Sequence, residues 1–140
     1  MASDGLNALV ELLRSNPIEG GDDVLARRAS MEAMAGMQPL PDDVTVEPVD
    51  ANGVPCERVA AAGAAADRWL LYLHGGAYTA GSLTTHRTFC ATLSRATGAT
   101  VLNVGYRLAP EHAHPAAVDD AVTAWRWFLA DGADAGRTVV

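Results

Sequence analysis

Positive charge is scarce in this chain: 10 Lys and Arg stand against 17 Asp and Glu, a net charge of −7 over 140 residues. Phosphate binding needs clustered cations, so the absence of a basic stripe argues against nucleic acid as a partner. It argues equally against docking on an anionic membrane surface. Cysteine is nearly absent. Cys56 and Cys90 lie far apart, in neither metal-ligand nor redox spacing, and read as two free thiols in a reducing compartment. No metal site and no cofactor are expected. No apolar run approaches membrane-spanning length, so no membrane span is expected. Asp4 and Glu11 fall where a signal peptide would need a basic flank and an unbroken apolar stretch, which makes a cytoplasmic protein the expectation. Neither G-x-G-x-x-G nor a Walker lysine is present, which removes the common dinucleotide and phosphate loops.

What the chain does have is core. Apolar residues make up 49% of it, enough to exclude a disordered tail, while aromatics at 6% and charged residues at 19% are modest. Residues 4–14 read as an amphipathic helix capped by Asp4, with Leu6, Leu9, Val10 and Leu13 on one face and Asn16-Pro17 as its stop. Gly20-Gly21 is a break. A second helix begins after Asp22 or Asp23, reaches about Met34 and stops at Gly36. Its Met31 and Met34, with Met37 beyond, are candidates for an acyl-pocket lining or for filling core gaps.

From residue 44 the period changes to two. Val44, Val46 and Pro48-Val49 alternate as a strand, the Asp50-Ala51-Asn52-Gly53 turn reverses the chain, and a second strand follows around residues 54–59, making a hairpin. Trp69–Leu73 is a near-continuous apolar run, as expected of a strand buried on both faces. A helix over about 84–97 with Gly98 as its stop, a strand at 99–104, a helix over about 116–129 and the start of a strand at Thr138 complete the order. Alternating strands and helices after a hairpin predict an α/β doubly wound, mostly parallel sheet.

The Gly-rich segment His74-Gly75-Gly76-Ala77-Tyr78 follows the apolar strand directly, and ligands gather at such carboxyl ends in parallel sheets. A tight turn needing positive φ would explain a bare Gly-Gly. So would a row of backbone N–H donors approached closely by an anionic oxygen, as in acyl transfer, where losing one donor costs about 3 kcal/mol of barrier.

His74-Gly75-Gly76-Ala77-Tyr78, followed by Ser82 and Thr85-His86, resembles the hormone-sensitive-lipase-like branch of the α/β-hydrolases, whose H-G-G-G/A turn forms an oxyanion hole. A second block, Tyr106-Arg107-Leu108-Ala109-Pro110-Glu111-His112 with Pro115-Ala116-Ala117 and Asp119-Asp120-Ala121, is similar to the Y-R-L-A-P-E-H…P-A…D-A stretch of the same branch. The two blocks stand in the right order, one strand and helix apart.

The resemblance implies an α/β-hydrolase fold, with N-terminal cap helices over residues 1–36 and the N-terminal half of the catalytic core over 37–140. It implies an oxyanion hole at Gly75, Gly76 and Ala77, the amides of Gly76 and Ala77 donating and Gly75 shaping the turn. Ala77 stands where a third glycine is commoner; its N–H survives, though its methyl narrows the pocket. His74 and Tyr78 are implied to be structural at the site, His74 tethering the loop rather than acting as a base. His86, His112 and His114 are expected to anchor loops or lie exposed. Arg107 and Glu111 are expected to form an ion pair beneath the loop. Ala113 and His114 depart from the family's usual Pro-Phe or Pro-Tyr.

Catalytic triad residues are expected to be absent from this chain. The family's Gly-Asp-Ser-Ala-Gly elbow follows the strand that begins at Thr138, and none of Ser3, Ser15, Ser30, Ser82 and Ser94 sits in a G-x-S-x-G elbow. The implied function is therefore the oxyanion-hole and cap part of a carboxylic-ester hydrolase acting on a small ester, inactive by itself. The implied partner is the C-terminal half of the same hydrolase as a separate chain, with a homo-oligomer of the complete enzyme possible. The alternative is a non-catalytic small-molecule receptor on the same scaffold, as in the plant gibberellin receptors.

Overall fold

The computed structural model describes residues 3–15, 23–37 and 39–140. The expected stop at Asn16-Pro17, the break at Gly20-Gly21 and Asp22 as a cap lie outside the described residues. Helix α1 spans Asp4–Ser15 and buries none of its residues. Ser3, not Asp4, caps it: the Ser3 hydroxyl accepts from the Leu6 amide at 3.2 Å. Asp4 instead sits in the first turn, where a carboxylate still meets the positive end of the helix dipole. Helix α2 spans Val24–Gly36 and is capped by Asp23, whose carboxylate accepts from the amides of Leu25 and Ala26. Met34 and Met37 are exposed, so neither fills a gap in the core.

The expected hairpin forms. Strands β1 (Val44–Asp50) and β2 (Pro55–Ala61) pair antiparallel, Val44 opposite Ala61 and Asp50 opposite Pro55. Asn52 and Gly53 both have positive φ, at 56° and 91°. That is the two-residue turn whose twist matches paired strands, and Asn-Gly is the dipeptide that tolerates it best.

Strand β3 (Trp69–Leu73) leads through helix α3 (Leu83–Thr97) to β4 (Thr100–Val104), and helix α4 (Ala116–Ala130) leads to β5 (Thr138–Val139). The sheet order is β1-β2-β4-β3-β5, with β3 parallel to both β4 and β5 and β2 antiparallel to β4. Helix α3 starts on a reciprocal cap, the Ser82 hydroxyl taking the Thr85 amide and the Thr85 hydroxyl taking the Ser82 amide. It stops at Gly98, whose φ of 65° is the left-handed conformation typical of a helix end.

Because side chains alternate across a strand, the sheet separates two apolar layers. On one face Leu71, Leu102 and Val104 pack with Ala124 and Phe128 of α4. On the other, Val59 and Val101 pack with Cys90 and Ala91 of α3, and Leu70 and Tyr72 join them. Phe128 meets the Trp69 ring edge-on at 5.4 Å. Strand β3 is not buried on both faces along its length, as its composition suggested. Leu71 is buried, but Leu73 is exposed, because β5 pairs only with Trp69 and Leu70 and the last residue of β3 opens on a cavity. Both cysteines are free and buried, on opposite faces of the sheet. Among the described residues no helix is long and apolar enough to cross a membrane.

Candidate active site: a strained turn on an apolar cavity

The chain leaves β3 at His74 and enters α3 after the nine residues 74–82, and the turn is held from the inside. The Gly76 carbonyl accepts from the amides of Thr79 and Ala80, both at 3.0 Å. Three consecutive residues carry positive φ: Gly76 at 128°, Ala77 at 54° and Tyr78 at 59°. The left-handed region is uncommon for non-glycine residues and costs about 1–2 kcal/mol at each. A β-carbon at Gly76 would lie 2.1 Å from the Ala80 carbonyl oxygen, so only glycine fits. At Gly75 a β-carbon would meet nothing within 4 Å, and its φ is not in that region. Gly76, rather than Gly75, thus sets the shape of the turn, and Gly75 leaves its open side toward the cavity it lines.

The amides of Gly75, Gly76 and Ala77 have no hydrogen-bond acceptor among the described residues. All three residues are exposed, and with Tyr78 they line a cavity of about 530 Å³. Its remaining wall comes mostly from β3 and from α4: Leu71, Leu73, Tyr106, Val118, Val122 and Trp125 contribute, and Val140 closes one side. Buried unsatisfied donors are costly, so backbone N–H groups are left free only where water or a ligand reaches them. Here they stand on an apolar wall at the carboxyl end of a parallel strand, a place suited to an acceptor oxygen on an otherwise apolar molecule.

His74 is buried beneath this turn. Its Nδ1 donates to the Gly75 carbonyl at 2.9 Å, the Tyr106 hydroxyl donates to the His74 carbonyl, and the two rings stack 4.2 Å apart. His86 also stacks on His74, at 5.2 Å, and reaches Tyr72 at 5.8 Å. Loss of hydration lowers the His74 pKa from its ordinary 6.5, so at neutral pH the ring is uncharged. His74 therefore fastens the turn to the loop after β4. The same burial raises the Tyr106 phenol, keeping it protonated as a donor. Tyr78 keeps its ring exposed at the cavity mouth while its carbonyl accepts from the Ala109 amide at 2.9 Å.

His112 and His114 are exposed and line a smaller neighbouring cavity of about 370 Å³. His86 is half-buried, its Nδ1 2.9 Å from the Thr85 hydroxyl.

The ion pair expected between Arg107 and Glu111 does not form. Arg107 forks onto Asp120 of α4, with Nε 2.9 Å from Oδ2 and Nη2 2.7 Å from Oδ1, while its backbone amide also donates to Oδ2. Asp120 is buried and faces the loop from the first turns of α4, so it captures the guanidinium, whose hydrogen bonds hold its carboxyl below the usual range. Glu111 turns the other way, to Arg28 of α2, at 2.7 and 2.9 Å. The sequence offered no local signal for Arg28, which lies 83 residues from Glu111. Tyr106 stood inside the second motif, and its place just after a buried strand was the available hint that it meets the turn.

The profile of the alpha/beta hydrolase fold family matches residues 70–140, a span that contains the turn, the cavity wall of α4 and the Arg107–Asp120 fork. The ethyl acetate hydrolase of Pseudomonas putida is 48% identical over 97 residues, which cover 66% of this chain and 29% of that protein. The acetyl-hydrolase of Streptomyces hygroscopicus is 39% identical over a match covering 100% of this chain and 46% of its own length. The crystal structure of an esterase from the bacterial hormone-sensitive lipase (HSL) family superposes with a TM-score of 0.89 at 42% identity, covering 99% of this chain and 47% of that one. The chain thus spans less than half the length of these relatives. The fold, the H-G-G-A turn and these matches together establish that the chain belongs to the alpha/beta hydrolase fold family, in its hormone-sensitive-lipase-like branch.

Proposed function

We propose that residues 1–140 supply the oxyanion-binding turn and the cap-side helices of a carboxylic-ester hydrolase. The observation that carries this reading is the set of unengaged amides at Gly76 and Ala77 on the wall of an apolar cavity of about 530 Å³. When a serine oxygen attacks an ester carbonyl, charge moves to the carbonyl oxygen. Donors already in place stabilise it without reorganising. The acyl group rests against Leu73, Val118 and Val122, the alcohol departs, and water releases the acid. A small ester fits this cavity, and the names of the Pseudomonas and Streptomyces relatives, an ethyl acetate hydrolase and an acetyl-hydrolase, support a short acyl chain.

The nucleophile, acid and base come from outside these 140 residues in this reading. The serines best placed by fold are already committed. Ser94 is buried, donating to the Ala99 carbonyl and accepting from the Ala61 amide, and Ser82 caps α3. The remaining half of the hydrolase packs on the apolar side of α4, where Val118 and Val122 are exposed beside the cavity. Burying a face of that kind yields about 25 cal/mol for each Å² removed from water.

An assay with p-nitrophenyl butyrate tests this on residues 1–140 alone and mixed with the C-terminal portion of the hydrolase. Turnover is expected only in the mixture. Turnover by residues 1–140 alone overturns the division of labour, and ligand binding without turnover in the mixture favours a receptor.

A further inference from the structure

We infer that Arg28 is the positioning residue of the oxyanion turn: its guanidinium fastens α2 to the strained segment Ala77–Thr79, so the aim of the donor amides depends on where α2 sits. This rests on the reading of Gly76 and Ala77 as oxyanion donors.

Ala77 and Tyr78 both hold left-handed backbone that neither residue prefers, so contacts from outside the turn must keep them there. Within the turn, the Gly75 carbonyl is held by the His74 ring and the Gly76 carbonyl by the amides of Thr79 and Ala80. The carbonyls of Tyr78 and Thr79 are fixed from elsewhere. The Tyr78 carbonyl takes the Ala109 amide at 2.9 Å, and the Thr79 carbonyl takes Arg28 Nε at 2.6 Å. Arg28 then closes the circuit, because its Nη2 donates to the carbonyl of that same Ala109. One side chain therefore holds the turn directly and also holds the loop that holds the turn.

Arg28 places four of its five N–H groups in this way, two on backbone carbonyls and two on the Glu111 carboxylate at 2.7 and 2.9 Å. Its side chain is only 20% exposed. A planar fork spans two carbonyls and a carboxylate together; an ammonium makes the same charge contact but has only three donors on one nitrogen and cannot grip the carboxylate in the same bidentate way. Helix α2 is thereby coupled to the site by a contact between residues 51 positions apart. Any displacement of α2 pulls first on Thr79, two residues from the Ala77 amide.

The test uses the full-length hydrolase that contains this segment, as wild type and as Arg28→Met, Arg28→Lys and Glu111→Gln. Hydrogen exchange is followed in peptides covering residues 74–81 and 100–104. Arg28→Met is expected to speed exchange in 74–81 about tenfold and to leave 100–104, in β4, unchanged. Equal rates in both segments for all variants overturn the inference. In steady-state assays with p-nitrophenyl butyrate, Arg28→Met is expected to lower kcat about a hundredfold with KM within about threefold, the cost of a misplaced catalytic group. Affinity for a trifluoromethyl ketone is expected to fall with kcat/KM, and Arg28→Lys to recover part of both. A raised KM with kcat retained overturns the positioning role. Should Arg28→Met fail to fold, Arg28→Lys and Glu111→Gln carry the same comparisons with smaller expected changes. A wild-type enzyme without turnover defeats the hydrolase reading instead, and the exchange measurement still decides whether Arg28 holds the turn.

Discussion

A β-carbon built on Gly76 would lie 2.1 Å from the Ala80 carbonyl oxygen, on a backbone with φ of 128°, whereas one built on Gly75 would meet nothing within 4 Å. The turn thus requires glycine at residue 76, while no neighbouring atom excludes a side chain at residue 75. Gly76→Ala must displace main chain and adopt an unfavourable φ together, and is expected to lower stability by about 2 kcal/mol or more. Gly75→Ala is expected to change stability by less than about 1 kcal/mol, and to reduce ester turnover in the complete hydrolase by crowding the cavity. Urea unfolding beside a p-nitrophenyl butyrate assay separates the two. Equal destabilisation by both substitutions would contradict the assignment. Sequence pattern could find this pair but could not rank it, because both are simply glycine until the Ala80 carbonyl is seen folded back against one of them.

Among the elements, the loop between β4 and α4 is tied to α4 by one buried carboxylate. Asp120 receives the Arg107 amide and guanidinium together, and these hydrogen bonds lower its pKa from 3.8. A carboxyl with a folded pKa below its unfolded value contributes stability that is complete above the unfolded value. That contribution is lost as pH falls from 3.8 toward the folded value. Asp120→Asn is expected to cost about 2 kcal/mol at neutral pH, the scale of hydrogen bonds to a charged group, and to flatten the acid limb of stability below pH 3.8. Denaturant titrations at several pH values check both; an acid limb as steep in the variant as in wild type would refute the role. Elements of this kind were legible where the physics is local. The Asn52-Gly53 turn and the Gly98 stop are short-range features, and each forms at the predicted place. The Asp120–Arg107 fork and the Arg28–Glu111 pair were not legible, and an Arg107–Glu111 pair was expected instead. Ion-pair choice depends on which way α4 and α2 arrive, and that is settled by packing across 81 and 83 residues for Arg28. Within residues 1–140, β3 is paired along its whole length by β4 but only at Trp69 and Leu70 by β5.

Across the whole molecule, the sheet keeps Cys56 among the residues beneath α4 and Cys90 among those beneath α3. Burial pushes both thiols up to about 12, so at neutral pH almost none of either is thiolate, and neither reacts with an alkylating agent in place. Each reports instead on the opening of its own layer. The layer under α4 borders the cavity, and Val118 and Val122 on that helix are 45% and 42% exposed, so it has less holding it down. In intermediate urea, iodoacetamide followed by peptide mass mapping is expected to modify Cys56 before Cys90; the reverse order, or a single shared rate, would rule out independent layers. The two sulfurs, put out of each other's reach by a wall one strand thick, amount to a pair of built-in clocks, and comparing them tells which side of the protein comes apart first without a single substitution.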